Sequence, residues 1–106
     1  MVFLESCKSI ALSFPQTAEE PHFDKISIRI NQKIFITLDS KKNIATVKLT
    51  PQSAQDLFSL FDTKIVFPVP NKWGLHGWKV VDLNLVETGF LKEIIEEAYQ
   101  TVLKKK

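Results

Sequence analysis

Apolar residues recur along this chain with two periods. Phe3, Leu4, Cys7, Ile10, Ala11 and Phe14 follow the spacing of an amphipathic helix. Pro15 predicts its end, because the residue before a proline avoids helical backbone. "PQTAEEPHFD" (15–24) carries two prolines in a polar cluster and predicts a loop. The period then falls to two. "KISIRI" (25–30) alternates Ile26, Ile28 and Ile30 with Lys25, Ser27 and Arg29. "KIFITL" (33–38) alternates Ile34, Ile36 and Leu38 with Lys33, Phe35 and Thr37. "IATVKL" (44–49) alternates Ala45, Val47 and Leu49 with Ile44, Thr46 and Lys48. Each reads as a strand with one face in a core. "NQ" suits a tight hairpin between the first two, and "DSKKN" a longer link to the third.

"LTPQSAQDLFSLF" (49–61) predicts a second helix, with Thr50 as N-cap, Pro51 at the first helical position, and Ala54, Leu57, Phe58 and Phe61 on one side. "IVFPVP" (65–70) predicts a fourth strand. Pro68 and Pro70 cannot donate ladder hydrogen bonds, so it belongs at an edge or ends early. "WKVVDL" (78–83) predicts a fifth strand. Residues 88–105 predict a last helix whose stripe is Phe90, Leu91, Ile94, Ile95, Ala98, Val102 and Leu103. Lys104, Lys105 and Lys106 meet the negative pole at its end.

The predicted order is therefore α-β-β-β-α-β-β-α. The fold class is α+β: an antiparallel sheet of about five strands with helices packed on one face. The 106 residues suit one domain, residues 1–106. No apolar run reaches the length of roughly 20 residues that spans a bilayer. "MVFLESCKSIALSF" lacks a basic stretch before its apolar residues and does not read as a signal peptide. Cys7 is the single cysteine, so no intrachain disulfide forms. A reducing, cytoplasmic setting is the expectation, with Cys7 as a small core residue.

The net charge is only +2, but it is unevenly spread. Residues 1–24 sum to −3, residues 25–79 to +6 and residues 80–106 to −1. The basic middle reads either as solvated strand faces or as a positive face for a polyanion. The second reading gathers Lys25, Arg29, Lys33, Phe35 and Lys48 on the polar side of the first strands, extended by Lys72 and Lys79. Arg29 is the one arginine among these cations, which favours phosphate contact over base readout. "NKWGLHGW" (71–78) is either a turn whose tryptophans close the core or a tip presenting Trp73 with Lys72 and His76. There Gly74 and Gly77 supply positive φ.

No residue set points to catalysis. His22 and His76 lie far apart, and there is neither a nucleophile elbow nor a phosphate-binding glycine loop. "EEPHFD" holds metal-capable groups, but neighbours on one short loop seldom converge unaided. The expectation is a non-enzymatic protein without metal or cofactor.

Four stretches carry a family resemblance: "SFPQTAEEPHFDKISIRINQKIFITL", "LTPQSAQDLFSLF", "VPNKWGLHGWKVVDL" and "LKEIIEEAYQTV". From Ser13 onward the chain resembles the MmcQ/YjbR family of small bacterial proteins. The resemblance implies a single α+β domain of the CyaY-like kind. It also implies DNA binding, a label that follows from likeness to a phage "double wing" domain. The chain departs from the family pattern at Leu75, where members often carry a polar or basic residue. Two functions follow as expectations. One is non-specific DNA binding, mainly to the phosphate backbone, through a basic sheet face. The other is a protein-interaction or homodimerising module that uses the same face or the edge strand near Val66 to Pro70.

Overall fold

The computed structural model describes residues 2–22, 25–49, 65–69 and 77–104. The predicted helix over 49–61 falls almost wholly outside these, as do Lys72, Trp73 and His76. Helix α1 spans Leu4–Leu12 and buries Cys7 and Ala11. The alternating stretches form β2 (Lys25–Ile30), β3 (Lys33–Asp39) and β4 (Ile44–Lys48). β5 (Val66–Pro68) and β6 (Trp78–Asp82) follow, and helix α2 spans Thr88–Lys104.

The segment expected to be a loop contains a strand, β1 (Thr17–His22), paired antiparallel with β2. Its residues 18–21 are exposed, so no apolar alternation announces it. An edge strand needs only one ladder, and Pro21 is tolerated there. Among the described residues the sheet thus has six strands in the order β1-β2-β3-β4-β6-β5, all pairs antiparallel. β5 forms the other edge among these described residues, in keeping with Pro68.

Asn31 and Gln32 link β2 to β3 with φ of 50° and 70°. Positive φ at both central positions is the signature of the hairpin turn that matches strand twist. Between β3 and β4, the Asp39 carboxylate accepts hydrogen bonds from the Lys41 and Lys42 amides at 3.0 and 3.2 Å. An aspartate that ties down the following backbone is a common way to begin a turn.

Both described helices pack on one face of the sheet: α2 over β2, β3 and β4, and α1 over β1, β2, β3 and α2. Ile28, Ile36, Leu38, Val47 and Val81 meet Leu91, Ile94, Ile95 and Ala98 there, all at most 1% exposed. Leu103, expected on the buried stripe, is 43% exposed, while its neighbour Val102 is buried.

The β2–β3 register carries one irregularity. Ile28 opposes Ile36 and Arg29 opposes Ile34, so Phe35 is an extra residue on β3. A bulge of this kind reverses the alternation on its strand. Phe35 therefore leaves the polar face on which it was expected and is fully buried. It meets the Tyr99 ring edge-on at 5.8 Å, while Phe14 stacks on the same ring at 4.7 Å. The Tyr99 hydroxyl donates to the Pro15 carbonyl at 2.9 Å and satisfies its polar end.

Candidate nucleic-acid interface

On the face away from the two described helices, alternation and register bring together one set of positions. Ser27 and Arg29 of β2 lie beside Thr37 of β3, then Thr46 and Lys48 of β4, then Trp78 and Val80 of β6. This face is not bare. Arg29, Thr37, Thr46, Lys48 and Trp78 are half-buried, while Ser27 and Val80 are buried.

Ser27 anchors the arginine. Its hydroxyl donates to the Glu20 carbonyl at 2.8 Å and accepts from Arg29 Nε at 3.0 Å. The Glu20 carboxylate stands 3.8 Å from the same nitrogen. These contacts hold Arg29 by its Nε edge. On β4 and β6, Lys48 and Trp78 are directly opposed, and the Lys48 ammonium lies over the indole, 5.5 Å from the ring centroid. That is within cation–π range.

At the β2–β3 hairpin end of the sheet lies a groove of about 450 Å³, lined by Arg29, Gln32, Lys33, Ile34, Lys48 and Trp78 of the sheet and its hairpin together with Val102 of α2. The bulge at Phe35 shapes it. Ile34, expected in the core, pairs with Arg29 and turns toward the groove. Lys33 pairs with Ile30 and is exposed at the hairpin. Three cations thus share the groove's lining with isoleucine, valine and indole.

The other expected residues lie elsewhere. Phe35 is sealed in the core, where it cannot touch a surface ligand. Lys25 shares the face of Arg29 but sits at the far end of β2, roughly 13 Å along the strand by the usual rise. Lys79 opposes Val47 and Pro68, which puts it on the helix side of the sheet, not with Lys48. Lys72 and Trp73 lie outside the described residues. Trp78, read as a core-closing residue, lies instead on the second face. The alternation of Thr46 and Lys48 could have located it, had the β4–β6 pairing been known.

The acidic stretch near β1 does not form a ligand cluster. Strand alternation sends Glu19 and Glu20 to opposite faces, where Glu19 meets Lys8 of α1 at 3.5 Å and Glu20 meets Arg29. The hydrogen bond that Lys8 donates to Glu5, reinforced by the charge of Glu19, holds the Lys8 ammonium above its usual pKa range. Among the described residues, no group of three or more His, Cys, Asp and Glu could hold a metal ion. No helix among them is long and apolar enough to cross a membrane.

The family model described as YjbR matches residues 12–101, most of the chain. No curated protein matches the chain in sequence.

Proposed function

The chain belongs to the YjbR family, and from that premise we propose that it is a non-enzymatic domain that binds DNA non-specifically through the groove beside the β2–β3 hairpin. One observation carries this reading: Arg29, Lys33 and Lys48 converge on a single depression together with the Trp78 ring. Clustered cations attract the phosphate backbone whatever the sequence, and an aromatic among them adds a surface for bases. With one arginine in the set, little sequence readout is expected.

A strand-adding or homodimerising module is the competing reading, and the sheet edges argue against it. β1 carries Glu19, Glu20 and Pro21, and β5 is three residues long with Pro68. Charge, proline and shortness are the features by which edge strands avoid pairing with other chains. Phe35, the aromatic expected to anchor such a contact, is buried.

Anisotropy titration of a labelled oligonucleotide tests the proposal. Micromolar or weaker binding should weaken steeply as salt rises from about 50 to 200 mM. Absence of binding at about 100 μM protein, or binding indifferent to salt over that range, rejects it.

A further inference from the structure

The groove holds more than a phosphate site requires. A surface that only tracks a duplex backbone needs exposed cations on a shallow face. Here the cations share the lining of a concavity with the apolar side chains of Ile34, Trp78 and Val102. Its volume of about 450 Å³ lies within the span of pockets that enclose small organic ligands, roughly 300–1,000 Å³.

In duplex DNA the faces of the bases are stacked on one another. Only their edges, the sugars and the phosphates reach the surface, and an apolar concavity gains nothing from these. An unpaired nucleotide differs: it offers a planar apolar face and an anion on one short unit. The groove holds both partners together: the Lys48 ammonium lies over the Trp78 ring, and a base that takes its place on the indole turns the ammonium toward a flanking phosphate. A base that packs on the indole or on Ile34 therefore brings its flanking phosphates within reach of Lys48, Arg29 and Lys33. Arg29 is oriented for this role by Ser27 Oγ and Glu20.

We propose that this groove takes an unpaired nucleotide, so that the protein binds single-stranded DNA in preference to duplex. The apolar side chains would receive the base and the cations beside them its phosphates. The inference rests on the DNA-binding reading and sharpens it to a strand state.

The test compares three labelled probes at one salt concentration: a single-stranded thymidine oligomer, a hairpin duplex carrying the same number of phosphates, and an abasic strand of the same length. The expected order is the thymidine strand about tenfold tighter than either of the others, the scale set by one well-stacked base. Trp78→Ala should collapse that difference. If it fails to fold by circular dichroism, Ile34→Thr probes the same apolar lining and should narrow the difference. A duplex or abasic strand that binds as tightly as the thymidine strand overturns the inference and leaves the phosphate-binding reading standing. If none of the three probes binds, the phosphate-binding reading falls as well.

Discussion

Lys48 and Trp78 face each other across the β4–β6 pair, with the lysine ammonium 5.5 Å from the centre of the indole. A directly opposed cross-strand pair is where sheet side chains interact most strongly. The contact links a charged position on one strand to an aromatic position far along the chain, and it places both at the groove.

If the groove is the phosphate site, its charges should count more than other charges on the sheet. Lys48→Met keeps most of the aliphatic stem and removes the cation. It should weaken DNA binding and make the salt dependence shallower by about 0.7–0.9 in log–log slope, the amount for one lost phosphate contact. Lys33→Met should do the same. Lys25→Met, at the far end of β2, and Lys79→Met, on the helix side, should change the slope much less. Salt titrations of the four variants provide the check, and equal effects at Lys25 and Lys48 would remove the groove's privilege.

Phe35→Ala separates a core residue from a binding residue. The ring is fully buried against Tyr99, so truncation should cost about 3–5 kcal/mol in urea unfolding. A surface aromatic would cost roughly 0.5 kcal/mol or less. Tyr99→Phe should cost about 1 kcal/mol, through loss of the hydrogen bond to the Pro15 carbonyl.

The β2–β3 turn carries Gln32 at φ 70°, a left-handed conformation that an ordinary side chain adopts at a cost. Asn–Gly is the preferred pair for such a turn. Gln32→Gly should therefore raise the urea midpoint, by about 0.5–1 kcal/mol of stability. Gln32→Val should lower it, because a β-branched residue tolerates that backbone poorly.

Much of this arrangement is legible in the sequence. The isoleucine alternation in 25–30 and 33–38 announces β2 and β3, and Pro68 marks β5 as an edge. Two features are hidden because each depends on a partner strand. β1 has no apolar face of its own; it exists because β2 offers an unpaired edge, and Glu19, Glu20 and Pro21 give no periodic signal. The bulge depends on register. "KIFITL" reads as clean alternation, yet Phe35 opposes no residue of β2, so Phe35 goes inward and Ile34 goes outward. That single extra residue removes the aromatic expected at the site and supplies part of the groove's apolar lining. Trp78 takes the aromatic position instead, through a β4–β6 pairing that no local pattern encodes.

Cys7 gives a prediction about pH. It is fully buried on the inner side of α1, and burial pushes its thiol pKa up to about 12. In the unfolded chain a thiol ionises near pH 8.5. Between these values the folded state keeps a proton that the unfolded state has lost, so ionisation favours unfolding and stability falls as pH rises. Below about pH 8.5 both states are protonated and this loss is absent. The slope approaches about 1.4 kcal/mol per pH unit once the unfolded thiol is fully ionised. Cys7→Ala removes the titrating group while keeping a small apolar side chain. Between about pH 8 and 10 the native protein should lose about 2 kcal/mol more than Cys7→Ala in urea unfolding, since lysine and tyrosine contributions cancel in the difference. Equal losses in the two proteins would mean that the thiol ionises as readily in the fold as in the open chain.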